Sequence, residues 1–162
     1  MTSSCAGRAR IAATSVVEPP RKTIDALLRE ARSRLDRVAP SDLGVEQEAG
    51  SLVIDTRSSD ERRRHGVIPG SIHIPRSVLE WRVDPDADPA FRNPHVHGLD
   101  QRLVLVCADG YSSSLAAATL RDLGFGRATD LDGGFTAWKK LGLRLGTAPA
   151  DAPGTAGLGG PD

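Results

Sequence analysis

Apolar residues recur at helical spacing through Ile24, Leu27, Leu28, Ala31, Leu35 and Val38, while Arg29, Glu30, Arg32, Arg34, Asp36 and Arg37 fill the other face. This period predicts a helix over 21–37 with Thr23 as its N-cap and the charged side as an ordinary solvated face. Beyond it the pattern shortens. Val38-Ala39 reads as a very short strand before Pro40, and Ser41 as the cap of a brief helix over 42–48 that Gly50 ends. Leu52-Val53-Ile54 is a compact buried strand followed by the polar turn Asp55-Thr56-Arg57-Ser58-Ser59. A charged helical turn over 60–64 stops at Gly66, and a third strand around Ser71-Ile72-His73-Ile74 ends at Pro75.

Residues 76–101 lose periodicity and contain Pro85, Pro89 and Pro94, so they read as a surface excursion, with one helical turn at Val78-Leu79-Glu80-Trp81. A continuous apolar strand over 102–106 and a helix over 114–123 follow, with Gly124 as the stop. Ala128-Thr129-Asp130-Leu131 is a further short strand, Gly133-Gly134 breaks it, and Phe135 to Leu141 forms a last helix with Trp138 inward. Strands alternating with helices and no hairpin signals predict an α/β fold with a mainly parallel sheet. The Gly/Ala/Pro-rich stretch after Gly142 and the polar stretch before Pro19-Pro20 are expected to be irregular. The expected division is a disordered terminus over 1–20, an added helix over 21–37, one domain over 38–145 and a disordered tail over 146–162.

Composition narrows the classes. The 162 residues suit a single domain, and 21 basic residues balance 21 acidic ones without clustering, which argues against a nucleic-acid footprint. No stretch approaches a membrane span, and the first residues lack the apolar core of a secretory leader, so a cytoplasmic protein is expected. Cys5 and Cys107 do not make a disulfide framework, and an unpaired thiol suits a reducing compartment. His95 and His97 have no cysteine pair or acidic cluster to complete a metal site, so no metal is expected.

Cys107 is the candidate nucleophile. It ends the strand over 102–106 and opens the polar loop Ala108-Asp109-Gly110-Tyr111-Ser112-Ser113, directly before a helix. The C-terminal tip of a parallel strand is where open α/β sheets bind ligands, and helix N–H groups there favour a thiolate. A buried structural cysteine is the bland alternative. Gly110, which admits positive φ, and Ser112 and Ser113, read as helix-capping residues, do not fit simple core filling.

Three stretches together resemble the rhodanese (sulfurtransferase) family. They are Val53-Ile54-Asp55-Thr56-Arg57 with Glu61 and Gly66 through Pro75, the loop Cys107 to Ser113, and Leu131-Asp132-Gly133-Gly134-Phe135-Thr136-Ala137-Trp138. The resemblance implies a rhodanese-like α/β fold with helices on both faces of the sheet, and a Cys107 persulfide that moves a sulfane sulfur to a thiol or other nucleophilic acceptor. It implies no cofactor, a small donor such as thiosulfate or a persulfide, and a thiol acceptor that a protein can supply. Loop residues Ala108, Asp109, Gly110, Tyr111, Ser112 and Ser113 would bind substrate, their N–H groups holding the terminal sulfur.

Two departures stand out: one extra residue between Glu61 and the Ile68-Pro69-Gly70 turn, and the carboxylate of Asp109, which would repel dianionic thiosulfate if it faced inward. Asp55 and Arg57, and Arg76 and Arg82 in the excursion, are candidates for pocket support. For the first two the competing reading is structural, with Asp55 capping its turn and Arg57 pairing with a carboxylate such as Glu61. Arg62, Arg63 and Arg64 read as a solvated face, the sequence offers nothing that would make His73 a catalytic base, and Trp81 and Trp138 read as packing residues. A cysteine-dependent phosphatase would carry an arginine where Ser113 stands. A non-catalytic binding module would not need the cysteine.

Overall fold

The computed structural model describes residues 20–149. The expectations for 1–19 and for 150–162, Cys5 included, lie outside the described residues. The chain runs α1 (Ile24–Ser33), α2 (Leu43–Glu48), β1 (Leu52–Asp55), α3 (Ser59–His65), β2 (Ile72–His73), α4 (Leu79–Val83), β3 (Leu103–Val106), α5 (Ser112–Asp122), β4 (Thr129–Asp130) and α6 (Gly134–Lys140). The four strands are all parallel in the order β2-β1-β3-β4, and Val38 extends the sheet by a parallel bridge to Leu131. Connections leave β1 towards β2 on one side, while β3 and β4 lie on the other. The β1/β3 boundary is therefore the topological switch point, where ligands of such sheets bind.

Period-two alternation along the central strands builds a core on each face. Ile54, Leu103 and Leu105 point to one side and pack with Leu79, Val83, Ala116, Ala117, Leu120 and Phe125 of α4, α5 and the turn after α5. Val53, Val104 and Val106 point to the other side, against Leu43, Ile68, Phe135 and Trp138. Helices thus cover both faces, as the alternation of strands and helices predicts.

Several boundaries differ from expectation. Thr23 caps α1 by accepting from the Ala26 N–H at 3.2 Å, but the helix stops at Ser33 instead of 37. The chain must become extended by Val38 to bridge Leu131, and this tertiary pairing overrides the helical period. Ser41 lies inside a 3-10 turn over Pro40–Asp42 and caps nothing; its hydroxyl bonds Asp42. The 76–101 excursion is anchored by Leu79 and Val83, both fully buried, although Trp81 is 56% exposed and is not a core residue. After Gly142 the chain stays on the domain: Leu143 packs on the second core, Trp138 Nε1 donates to the Arg144 carbonyl at 3.0 Å, and Gly146 pairs with Val67 in an antiparallel bridge.

Among the described residues, Thr129 Oγ1 is a buried side-chain oxygen with no hydrogen-bond partner. Desolvating a hydroxyl without a partner is unfavourable. Thr129→Val keeps the shape and removes the orphan, so chemical denaturation should show a gain of about 1 kcal/mol. A loss of stability would mean that the hydroxyl is satisfied after all.

Candidate active site

Cys107 follows β3 at the switch point, beside the end of β1. Thr56 ties the two strand ends together, its N–H and hydroxyl both donating to the Val106 carbonyl at 2.8 and 2.9 Å. Cys107 is 7% exposed. Its Sγ accepts from the Gly110 N–H at 3.1 Å and the Ser113 N–H at 3.4 Å, and lies 3.1 Å from the Ser113 hydroxyl. α5 begins at Ser112, two residues before the expected start, with Tyr111 at the N-cap and no side-chain cap bond. Ser112 and Ser113 are therefore first-turn residues and not caps. The sulfur takes the capping role, accepting a first-turn N–H that would otherwise be free. Burial pushes the Cys107 thiol up, but the Ser112 and Ser113 hydroxyls and the Ser113 and Gly110 N–H groups outweigh it, leaving the thiol below its ordinary value of 9.0.

The loop closes on the paired glycines. Gly110, Gly133 and Gly134 have φ of 75°, 68° and 60°. A Cβ on Gly110 would lie 2.8 Å from the Gly133 nitrogen. The first amides of α6 hold the loop carbonyls, Phe135 N–H to Cys107 at 2.9 Å and Thr136 N–H to Ala108 at 2.9 Å. Asp109 is exposed, and its Oδ1 accepts from the Thr136 hydroxyl at 2.8 Å, so the carboxylate turns outward along α6. Tyr111 is also exposed, with the Arg32 guanidinium 5.4 Å from its ring centre.

Behind the loop lies a polar network that the sequence reading did not assign. Asp130 of β4 is fully buried, and its Oδ2 accepts from the hydroxyls of Ser113 at 3.0 Å and Ser114 at 2.7 Å. Arg37 grips the same carboxylate through two bonds of 2.8 and 3.1 Å, and reaches Asp132 at 2.5 Å. Arg32 donates to the Gly110 carbonyl at 2.7 Å and to Ser114 at 3.3 Å. Arg32 and Arg37 are thus not part of a solvated face. A carboxylate inside a short apolar strand was the available signal, because a buried acid almost always has a partner.

On the β1 side, Asp55 and Arg57 are both buried. Asp55 accepts from Arg57 Nε at 3.0 Å, Arg57 Nη2 at 2.7 Å, the Arg57 N–H at 3.1 Å and Arg62 Nε at 3.3 Å. Arg57 also bonds the Gly66 carbonyl at 2.9 Å and lies 3.5 Å from the centre of the Phe135 ring. Arg57 pairs with a carboxylate as the structural reading expects, but with Asp55 and not with Glu61. Glu61 instead closes a capping box with Ser58, whose hydroxyl and N–H lower the Glu61 pKa. Arg62 is buried on Asp55 and likewise not on a solvated face. Arg57, Phe135, Ala108, Asp109, Thr136 and Lys139 share a hollow of about 220 Å³ against the loop.

Arg76 pairs within the excursion, whereas Arg82 also lines a hollow of about 240 Å³ with Ser59, His73, Ile74 and Pro75. Arg76 Nη1 donates to both Glu80 carboxylate oxygens at 2.7 and 2.9 Å, and Arg82 donates to the Phe91 carbonyl at 3.1 Å. A cleft of about 950 Å³ lies among residues that precede the strands, with Arg102 and Arg121 in its wall. Both arginines are paired with Asp36, and Arg102 also with Glu46. It is far in the fold from the thiol, at the opposite end of the strands.

Fold and site define a parallel α/β domain that cradles a cysteine sulfur at a strand tip. Residues 39–141 match the rhodanese-like domain family, and the chain belongs to that family. It is 31% identical to the thiosulfate sulfurtransferase GlpE of Pseudomonas savastanoi, covering 64% of this chain and 86% of that one. With GlpE of Pseudomonas aeruginosa PAO1 the identity is 35%, over 65% and 84%. A solved structure from Rhodopseudomonas palustris, described as a protein of unknown function and possible tyrosine phosphatase, matches with a TM-score of 0.69 and 32% identity, over 79% of this chain and 97% of that one. The human single-domain sulfurtransferase TSTD1 matches with a TM-score of 0.56 and 27% identity, over 64% and 95%. No helix among the described residues is long and apolar enough to cross a membrane.

Proposed function

We propose that this protein is a sulfurtransferase that carries a sulfane sulfur as a persulfide on Cys107. The observation behind this reading is the cradle itself: two backbone N–H groups and a hydroxyl converge on one buried sulfur. The Cys107 thiolate attacks the sulfane sulfur of the donor, a new S–S bond forms, and the donor's S–S bond breaks so that sulfite leaves with its electron pair. An acceptor thiolate then attacks the outer sulfur, and Cys107 leaves as a thiolate. The same donors that hold the thiolate stabilise the anionic outer sulfur and the departing charge.

Thiosulfate is the donor we favour, with a thiol, small or on a protein, as acceptor in a reducing cytoplasm. The relatives' activity supports it, and so does Asp109, whose outward carboxylate leaves no like charge aimed at a dianion. A phosphatase reading has no support in the loop. Ser113 stands where a forked arginine would be required, and the next arginine, Arg121, is bonded to the Ala128 carbonyl and Asp36.

Incubation with thiosulfate should add about 32 Da, one sulfur, to the protein and nothing to Cys107→Ser. An equal adduct on Cys107→Ser would sink the assignment, and an adduct with no transfer to any thiol would favour a binding module. Asp109→Asn should change kcat/KM by less than about twofold for thiosulfate and for an uncharged persulfide alike, as expected for a solvent-screened charge. A gain confined to thiosulfate would place the carboxylate at the donor.

A further inference from the structure

We propose that α1, which precedes the residues that match the family, is a working part of the active site: Arg32 in its last turn is a positioning residue that holds the sulfur-holding loop by the Gly110 carbonyl. The inference rests on the sulfurtransferase reading and adds to it what keeps the loop in shape. Arg32 touches no reacting atom; it works through Gly110.

Gly110 carries the backbone amide nearest to the sulfur, its nitrogen lying 3.1 Å from Sγ against 3.4 Å for that of Ser113. With φ of 75° and no side chain, the residue has little of its own to fix its peptide planes. The earlier loop carbonyls, of Cys107 and Ala108, are held by the first amides of α6. The Gly110 carbonyl has three donors within reach: Arg32 Nη2 at 2.7 Å, the Ser114 hydroxyl at 3.1 Å and Arg37 Nη2 at 3.3 Å. The distances decide between them. Ser114 has one hydrogen, and its oxygen lies closer to Asp130, at 2.7 Å; Arg37 Nη2 is also closer to Asp130, at 3.1 Å. Of the three, only Arg32 makes its shortest bond to the carbonyl, and a cationic donor at that distance forms a strong hydrogen bond.

The other arginines nearby are spent on acids. Arg34 at the end of α1 pairs with Asp122 of α5, and Arg37 with Asp130 and Asp132. Among the described residues no carboxylate pairs with Arg32: beyond Gly110 it meets the Ser114 hydroxyl at 3.3 Å and the ring of Tyr111. All of these contacts fall at the junction of the loop with α5. Ala31 is buried and α1 packs along α5, which brings the next residue, Arg32, to that junction. The remaining charged groups around the loop are occupied elsewhere: Arg57 is bonded to Asp55 and Asp109 to Thr136, while Glu61, His65 and Lys139 line the hollow beside Ala108 and Asp109. None of them is bonded to Arg32, so a change there reaches the sulfur through the Gly110 peptide.

Without this grip the Gly110 amide drifts from Sγ, the thiolate loses a donor, and its protonated form is favoured up to a higher pH. Alkylation of Cys107 by iodoacetamide, followed by peptide mass so that Cys5 is counted separately, should show a midpoint in Arg32→Met about 0.5 to 1 pH unit above that of the wild type. Transfer from thiosulfate to dithiothreitol should show kcat lowered about tenfold with KM for thiosulfate within about twofold, because the same N–H holds the departing charge. Arg34→Met removes the other arginine that ties α1 to α5 and should move neither readout. A folded Arg32→Met in which either readout stays at the wild-type value overturns the proposal, as do equal changes in Arg34→Met, which would trace the effect to helix docking. If Arg32→Met does not fold, Arg32→Gln, neutral and shorter, decides by the same two readouts: a shift in the same direction is expected, and none overturns the proposal. The two readings fail separately: absence of the adduct of about 32 Da on the wild type removes the sulfurtransferase reading, whereas an adduct with an unmoved alkylation midpoint in Arg32→Met removes only the role of Arg32.

Discussion

Gly134→Ala should cost about 3 to 5 kcal/mol of stability and lower sulfur transfer roughly 100-fold in whatever fraction still folds. Two effects add. The residue has φ of 60°, which for an L side chain costs about 1–2 kcal/mol. Its Cβ would also lie 2.5 Å from the Cys107 carbonyl, 2.6 Å from the Gly110 nitrogen and 2.8 Å from the Ala108 carbonyl. All three are backbone atoms of the sulfur-holding loop, so relief requires the loop itself to move. The Gly110 N–H that points at Sγ moves with it. Gly142 supplies the control: it has φ of 63° and nothing within 4 Å of a built Cβ. Gly142→Ala carries the conformational cost alone, about 1–2 kcal/mol, and should leave transfer intact. Denaturation of both variants separates the two effects. Equal losses would mean that the contact between the glycine turn and the loop is soft.

That contact explains which parts of the site the sequence reveals. Cys107, the loop glycine and the paired glycines lie in short local patterns, and each is dictated by the backbone: positive φ at Gly110, Gly133 and Gly134, and room for one turn against another. The strands are equally local, because apolar runs mark residues 52–54 and 102–106 without reference to the rest of the fold, each within one residue of the observed strand. Arg32, Arg37 and Asp130 are different. The groups that Arg32 and Arg37 bond lie 73 to 95 positions away, and they meet because Val38 adds itself to the sheet beside Leu131. Read along the helix expected over 21–37, the two arginines look like its solvated face. Only the register of the parallel bridge turns them onto the loop.

The same limit applies on the β1 side, where Arg57 found a carboxylate two residues back in place of the one four residues on. Glu61 was already committed to its capping box, a strictly local device. A helix-capping interaction therefore decided the partner of a buried arginine. Trp81 fails for a related reason. A lone tryptophan in a turn of helix suggests packing, but the inward positions of α4 belong to Leu79 and Val83, leaving Trp81 on the outer side.

Asp55→Asn should destabilise the protein by about 3 to 5 kcal/mol, because it leaves two buried guanidinium groups without their counter-charge. Asp55 is 2% exposed and is the carboxylate to which both Arg57 and Arg62 are bonded. Water cannot reach in to screen the orphaned cations, and the Gly66 carbonyl and the Phe135 ring offer only partial compensation. The exposed Arg63–Asp60 pair on the same helix provides the contrast: Asp60→Asn should change stability by no more than about 0.5 kcal/mol. Urea midpoints for the two variants, at low and high salt, are the measurement. Loss of the surface pair should depend on salt and loss of the buried one should not. A small effect at Asp55 would show that Arg57 and Arg62 relax to solvent. It would also free the Arg57 guanidinium to reach into the hollow it lines beside Ala108 and Asp109, and Arg57→Met would then lower sulfur transfer more than stability. With Asp55 holding it as the bonds above describe, Arg57→Met should instead lose stability first, with the folded fraction transferring sulfur within a few-fold of the wild-type rate.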